Sequence, residues 1–165
     1  MTFTIHQASA PVFARTLGNL SAMLDKALAG GADEATLLAA RLAPDMHPLP
    51  RQIQMASDSA KGAIARLAGV DVPVMEDTET TFAELKDRLA RTIAFVNSVE
   101  AAAFDGAEDR EVVLKFPQGE MTFTGADYLT SFVLPNFFFH VTIAYALLRA
   151  NDVAVGKMDF LAGAR

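Results

Sequence analysis

His140 is the residue of this sequence whose surroundings best suit chemistry. It follows three consecutive phenylalanines, and a step of 100° per helical residue brings Asn136 and several apolar residues onto its side of a helix. We therefore expect His140 and Asn136 to face inward, one turn apart. A buried polar pair costs free energy unless it is hydrogen-bonded. Either His140 is a core histidine bonded to Asn136, a backbone carbonyl or water, or it is a ligand or general base that opens into a pocket between helices.

The sequence holds two further histidines, His6 and His47. His6 lies in a lead-in before the first predicted helix, where we expect it to be exposed. His47 stands in the proline-rich stretch APDMHPLPRQ, which leads into the second predicted helix. Its polar neighbours favour an exposed loop histidine. The alternative is that His47 reaches the same end of the protein as His140.

A polar stripe on the second predicted helix supplies the remaining candidates, Gln54 and Asp58. On a helical wheel these residues lie nearly opposite the apolar face. We expect a solvated face on which Asp58 and Lys61 form an i,i+3 pair worth about a few tenths of a kcal/mol. The alternative is that Gln54 and Asp58 line a cleft or a contact between subunits.

Four amphipathic helices are predicted to position these side chains. Ser9 is the expected cap of the first helix, with Pro11 inside its first turn. Thr81 and Glu84 form a capping-box pattern for the third helix, and a glycine is expected to stop the second. The predicted helices run from Ser9 to Gly30, from Leu49 to Gly69, from Thr81 to about residues 104–106, and from Gly125–Asp127 through His140.

A β-hairpin is predicted between the third and fourth helices. The runs EVVLKF and EMTFTG alternate apolar and polar residues and flank a Pro-Gln-Gly turn, which is typical of two antiparallel strands joined by a short loop. An isolated hairpin is only marginally stable, so this one should lie against the helices. The sequence thus predicts an all-α four-helix bundle with one short hairpin, in a single domain over residues 1–165.

The fourth predicted helix is apolar nearly all round. Phe138 and Tyr145, for example, lie off the stripe that contains His140. A second partner must cover this side of the helix, and either the hairpin or another copy of the chain would do so. A homodimer is therefore one of the two arrangements that the pattern favours.

Composition limits the classes of function. A net charge of −6 and a pI near 5.0 argue against nucleic acid and an anionic membrane surface as partners, because both attract clustered Lys and Arg. The chain has no cysteine, which excludes disulfides, thiol nucleophiles and thiolate metal sites. It shows no signal-peptide pattern and no run of 18 apolar residues, so we expect a cytoplasmic protein without a transmembrane helix. The motifs of P-loop enzymes, zinc proteases and serine hydrolases are also missing.

Two stretches of the chain resemble a known family. PLPRQIQMASDSAKGAIARLAG in the second helix, and PNFFFHVTIAYALLRANDVAVGKMDFLAG near the C-terminus, are similar to an uncharacterised family of the DinB/YfiT-like superfamily, the domain of unknown function numbered nineteen-ninety-three. The resemblance covers essentially the whole chain. It implies a DinB-like four-helix bundle, commonly dimeric, in a superfamily that includes metal-dependent, thiol-linked transferases and isomerases.

The resemblance also implies where a metal would lie. The superfamily pattern is three histidines, one on the second helix and two spaced four residues apart on the fourth. His140 fits one of these positions, but Ala144 and Asn136 stand four residues to either side of it. His47 lies at the very start of the second helix, so three histidines cannot meet. A divalent ion such as Zn, Ni or Mn, held by His140 and His47 and completed by Asp58, Asn136 or water, is the alternative.

These observations lead to two hypotheses. The preferred one is a small-molecule-binding or structural homodimer, with a polar pocket formed by Asn136, His140 and Gln54 and no assigned catalytic centre. The other is a divalent-metal-dependent transferase or hydrolase of the DinB/YfiT type, in which His140 is a ligand and His47 or Asp58 assists. Fold resemblance alone does not decide between them.

Overall fold

The structure is a computed structural model that describes residues 3–162, and most of these residues are helical. Six helices and one antiparallel hairpin follow one another along this part of the chain. They are α1 (Ile5–Ala29), α2 (Glu34–Ala39), α3 (Leu49–Ala68), α4 (Phe82–Ser98), β1 (Glu111–Phe116), β2 (Gly119–Thr124), α5 (Gly125–Ala150) and α6 (Lys157–Ala162). A mostly helical fold with one hairpin is confirmed, whereas six helices stand where four were predicted.

α1 begins before the predicted cap. The Thr4 hydroxyl accepts a hydrogen bond from the Gln7 N–H (3.2 Å), and the Gln7 side chain accepts one from the Thr4 N–H (3.1 Å), which forms a capping box. The prediction that Ser9 caps this helix is wrong. Ser9 is buried inside α1, where its hydroxyl donates to the carbonyl of Ile5, four residues back (2.7 Å). Pro11 accordingly lies well inside the helix.

The boundaries around the connection between α3 and α4 agree with the predictions. Gly69 follows α3 in the left-handed conformation (φ 71°), which glycine adopts without strain. Thr81 and Glu84 form the predicted capping box at the start of α4. The end of α4 differs, because the helix stops at Ser98 and a separate 3₁₀ turn covers Ala101–Phe104.

The hairpin follows α4 in the chain and leads into α5. Its two strands are antiparallel, with Val112 opposite Phe123. Val112 and Leu114 are buried in the same core as the helices. On the other strand, the ring of Phe123 lies 5.9 Å from that of Phe132 in α5. The helices thus give the hairpin the support that an isolated hairpin lacks.

α5 is covered on the sides for which the sequence showed no partner. Its first turns include a π-helical segment, Tyr128–Val133, from which Phe132 packs on the hairpin. Further along, Tyr145 packs edge-to-face on Phe160 of α6, with ring centroids 5.9 Å apart. α6 is held to α1 in turn, because Asn19 donates to the Phe160 carbonyl (2.9 Å). The hairpin and α6 of the same chain therefore cover much of the apolar surface of α5 for which a second partner was predicted.

Of the helices in residues 3–162, α5 alone is long and apolar enough to cross a membrane. The prediction of no such helix relied on uninterrupted apolar runs, which Asn136 and His140 break. In the structure α5 packs along α3 and contributes Phe137, Ala144 and Leu147 to the core. Length and composition of this kind are shared by core helices and membrane spans.

Candidate functional site

α3 and α5 run antiparallel and are joined by three polar contacts. The three residues of α3 recur every seven positions, which is about two helical turns, so all of them lie on the side that faces α5. His140 Nδ1 lies 2.8 Å from Gln52 Oε1, Asn136 Nδ2 donates to Ser59 Oγ (3.0 Å), and Arg66 Nη1 donates to the Tyr128 hydroxyl (3.3 Å). His140 and Asn136 of α5 therefore both belong to this row of three polar contacts between α3 and α5, which we call the seam.

His140 is buried, with 5% of its surface exposed, and Asn136 is bonded elsewhere. The partner of His140 is Gln52. The Gln52 amide nitrogen donates to the His47 carbonyl (3.1 Å), so its oxygen faces His140, and Nδ1 of His140 must carry the hydrogen. Burial lowers the pKa of His140, and the nearby charges of His47 and Arg51 lower it further. The imidazole is therefore neutral at pH 7.

The second ring nitrogen of His140, Nε2, reaches the solvent. No group of residues 3–162 forms a hydrogen bond with Nε2. Since every fully buried side-chain nitrogen or oxygen of these residues has a hydrogen-bond partner, Nε2 is not fully buried. In a neutral imidazole with the hydrogen on Nδ1, Nε2 holds a lone pair. His140 is accordingly a satisfied core histidine at one nitrogen and an accessible base or ligand at the other.

The other two histidines differ in their surroundings. His47 is exposed, and its charge acts on His140, so it lies at the same end of the protein. His6 is half-buried, and its ring packs edge-to-face on Phe104 with centroids 5.2 Å apart. The prediction of an exposed His6 is wrong because the lead-in in which it was placed is the first turn of α1.

The polar stripe of α3 is not a solvated face. The Asp58–Lys61 pair is present (3.1 Å), but Lys61 and Gln54 are both buried. Lys61 donates to the Pro73 carbonyl (3.0 Å), and Gln54 donates to Glu79 (2.9 Å), so the connection between α3 and α4 covers the stripe. The prediction of a solvated face is therefore wrong, since a helical wheel does not show what lies over a polar face.

Arg88 of α4 is the residue that binds this connection to the helices, and it was not among the residues predicted from the sequence. Its side chain is 0% exposed, and its guanidinium contacts Asp58 (2.7 Å), Asp77 (3.0 Å) and Glu79 (3.0 Å). Burial alone would lower the pKa of Arg88, but the hydrogen bond to Glu79 and the three carboxylate charges raise it overall. The available signal was its place on the apolar stripe of α4, four residues before Thr92, where a charge needs a partner.

A groove of about 240 Å³ opens between α3 and α5 beside the seam. The polar residues that line it are Arg51, Asp58, Ser59, Arg66, Tyr128 and Asn136. The apolar residues that line it are Met55, Phe132 and Val133. Of the predicted pocket residues, Asn136 lines this groove. His140 lies one turn further along α5, whereas Gln54 points to the connection between α3 and α4. A larger cavity of about 560 Å³ lies elsewhere, around His6 and Phe104.

The predicted metal ligands do not form a ligand set. No three His, Asp or Glu side chains of residues 3–162 come together in a way that suits a metal ion. Asp58 is bonded to Arg88 and Lys61, so its carboxylate is already paired with two cations, whereas Nε2 of His140 stays available to a ligand. These residues therefore do not fit a resident metal, and binding of Zn, Ni or Mn by His140, His47 and Asp58 stays a prediction.

Comparison with known proteins assigns the chain to a family. A family model described as "Domain of unknown function (DUF1993)" matches residues 5–161. The chain belongs to the DUF1993 family. This DUF1993 protein is also similar to a solved crystal structure of a DinB family member from Shewanella denitrificans, at 37% identity and a TM-score of 0.87 over 96% of this chain and 92% of that one. The resemblance to DinB-like proteins is confirmed. No curated protein matches the chain.

His140→Leu is expected to destabilise this DUF1993 protein by about 1–3 kcal/mol at pH 7.5. The reason is that Gln52 Oε1, which is buried, would lose its hydrogen-bond donor. Gln52→Leu combined with His140→Leu removes both polar groups and should restore most of the loss. Urea unfolding of the three proteins measures these differences. If His140→Leu alone is as stable as the parent, the contact between His140 and Gln52 does not contribute to stability.

The destabilisation should also depend on pH. The pKa of His140 is lowered by folding, so the unfolded chain binds a proton that the folded chain rejects. Stability from the neutral imidazole is complete above about pH 6.5 and falls as the pH drops toward the lowered pKa. The gap between the parent and His140→Leu should therefore narrow between pH 7.5 and pH 5.5, and a constant gap would contradict this.

Proposed function

We propose that this DUF1993 protein binds a small molecule in the groove between α3 and α5. The observation that carries the proposal is the convergence of hydroxyl, amide and guanidinium groups from two helices on one cavity of about 240 Å³. An apolar wall with a few converging polar groups is the usual composition of a ligand site. Ser59 and Asn136 supply polar groups beside the wall formed by Met55, Phe132 and Val133.

His140 supports the same proposal from the neighbouring turn of α5. Arg51 lines the groove and its charge also acts on His140, so the imidazole and the groove are neighbours. The lone pair of Nε2 would accept a hydrogen bond or a proton from a bound molecule. A ligand that extends from the groove to this nitrogen would use both features, and a reaction is not required for binding.

The scaffold of the proposed site is a single-domain, cytoplasmic four-helix bundle of the DinB type, built from α1, α3, α4 and α5, that pairs with a second copy. Exposed apolar side chains support a dimer: Phe116 and Met121 on the hairpin, and Phe139 on α5. Light scattering should give about twice the chain mass of 17.7 kDa. A measured mass near that of one chain would remove the dimer.

Protein-observed NMR on the full chain tests the ligand proposal. We expect members of a mixed set of small anionic, neutral and cationic aromatic compounds to shift the amide signals of Ser59, Asn136 and Tyr128. Ser59→Leu fills the groove and should abolish these shifts, whereas Asn97→Leu, on the exposed side of α4, should preserve them. The proposal fails if no compound shifts these signals.

A second measurement addresses the metal-dependent alternative. Protein purified without a histidine tag would be titrated with Zn, Ni and Mn by calorimetry. One tightly bound equivalent that disappears in His140→Ala would support a transferase or hydrolase centre at His140, His47 and Asp58. We expect weak, non-stoichiometric binding instead, because Asp58 is held by Arg88 and Lys61.

A further inference from the structure

We infer that the groove between α3 and α5 binds a small carboxylic acid, whose carboxylate pairs with the guanidinium of Arg66 where that group lies across Gly62. This inference rests on the proposed function and names the class of molecule that the groove takes. Three features of the groove support it: the position of the Arg66 side chain, the balance of charges, and the donors that surround the guanidinium.

Gly62 leaves the space in which the Arg66 side chain lies. Gly62 is buried in the middle of α3, and a Cβ atom added there would lie 2.5 Å from Arg66 Nη1. The guanidinium is therefore folded back along α3, over the position that any other side chain at residue 62 would occupy. Its Nη1 donates to the Tyr128 hydroxyl (3.3 Å), which holds it in the groove. A glycine inside a helix is unfavourable for the helix itself, and at residue 62 it leaves room for the guanidinium of Arg66.

Of the charged side chains that line the groove, Arg66 is the one whose charge is not paired with a carboxylate of residues 3–162, so an anion would pair with it. No carboxylate of residues 3–162 lies within ion-pair distance of Arg66, whereas Arg51 pairs with Asp77. Asp58 is the one carboxylate of the groove lining, and it would repel an anion if its charge were free. Its Oδ1 is contacted by Arg88 (2.7 Å) and Lys61 (3.1 Å), which compensate that charge.

The remaining lining groups suit a carboxylate on a small apolar body. A planar guanidinium donates to both oxygens of a carboxylate at once. Burial raises the pKa of Tyr128, so the phenol stays neutral, and its O–H is left to donate because its oxygen accepts from Arg66. The apolar wall would contact the body of the ligand. The volume of about 240 Å³ lies below the range of about 300–1,000 Å³ for larger ligands and suits a body of about one ring.

Benzoate, compared with benzamide, is the direct probe of this inference. Both have the same ring and nearly the same shape, but benzamide carries no charge. In NMR titrations of the full chain at pH 7.5, benzoate should shift the amides of Ser59 and Tyr128 and bind about fivefold more tightly than benzamide, the difference expected for an ion pair with an exposed arginine. Phenyl phosphate distinguishes a carboxylate site from a phosphate site, and tighter binding of it than of benzoate would overturn the inference.

Two variants test the role of Arg66 and Gly62, each with a matched control. Arg66→Gln and Gly62→Ala should each weaken benzoate binding about fivefold. Arg15→Gln removes an exposed arginine of α1, and Gly18→Ala adds a methyl group where nothing lies within 4 Å, so neither should change the affinity.

The possible failures separate this inference from the proposed function. If benzamide binds the groove as tightly as benzoate, or if Arg66→Gln and Gly62→Ala leave benzoate binding unchanged, the carboxylate inference fails and the groove proposal stands. If no compound of any charge shifts the groove residues, both fail. Gly62→Ala is expected to fold, because the atom it displaces is the end of a flexible side chain, and circular dichroism checks this.

Discussion

Arg88→Met is expected to lower the free energy of unfolding by about 3 kcal/mol, because it leaves the buried carboxylate of Glu79 without its counter-charge. The Glu79 side chain is 5% exposed and loses its main cation. Asp58 and Asp77 are 39% and 37% exposed, so water would screen their charges, and the loss should lie at the lower end of the range for a broken buried pair. Urea unfolding at pH 7.5 measures the change.

Arg91→Met is the matched control for Arg88→Met. Arg91 lies one turn further along α4, and its ion pair with Asp87 is on the surface, so its loss should change stability by less than about 1 kcal/mol. Equal effects of the two variants would show that the Arg88 cluster does not hold the connection between α3 and α4.

Acid should reduce the effect of Arg88→Met. Burial alone would raise the pKa of Glu79, but hydrogen bonds from Arg88, its own backbone N–H and Gln54 lower it overall, below its usual 4.5. The stability that this pairing contributes is therefore complete above about pH 4.5 and is lost as the pH falls through the lowered value.

Gly125→Ala should destabilise the protein by about 3 kcal/mol or more, because the new methyl group has no room. A Cβ atom at residue 125 would lie 1.8 Å from the carbonyl oxygen of Ala107 and 3.2 Å from Cδ2 of Leu67. The Ala107 segment is not free to move away, since the Ala126 N–H donates to the carbonyl of Glu108 (2.9 Å). Thermal or urea unfolding would measure the loss.

Gly18→Ala provides the comparison for Gly125→Ala. A Cβ atom at residue 18 meets nothing within 4 Å, and alanine is favoured over glycine inside a helix by up to about 1 kcal/mol, so this variant should be at least as stable as the parent. A loss below about 1 kcal/mol for Gly125→Ala would show that the backbone at residue 107 adjusts freely. The contact matters for the groove because it sets the start of α5 against the end of α3, where Tyr128 meets Arg66.

The sequence alone predicted the features that depend on neighbouring residues. Gly69 ends α3, and the Thr81–Glu84 capping box begins α4, because each pattern needs only three or four residues in a row. The same type of signal is present at Thr4 and Gln7, so the start of α1 also follows from neighbouring residues, and the prediction of a cap at Ser9 was wrong. The inward direction of His140 also followed from its helix, since a side chain's direction depends on the helical period.

The tertiary structure decided which groups these side chains meet. His140 was expected to bond Asn136, a backbone carbonyl or water, but it bonds the side chain of Gln52, 88 residues away in the chain. Arg88 lies on an apolar stripe, and only the packing of α3 and of residues 70–81 against α4 brings carboxylates to it. Gln54 was assigned to the pocket, yet it faces that connection.

Local features could be predicted from the sequence and contacts between helices could not, for a physical reason. Helix caps, turns and amphipathic periods are fixed by backbone geometry within a few residues, and they can be read along the sequence. Hydrogen bonds, ion pairs and cavities between helices depend on which helices pack together and in what register, and the chain order does not contain that register. His140 was therefore found from the sequence, whereas the groove between α3 and α5, with Arg66 lying over Gly62, became visible only once the helices were packed.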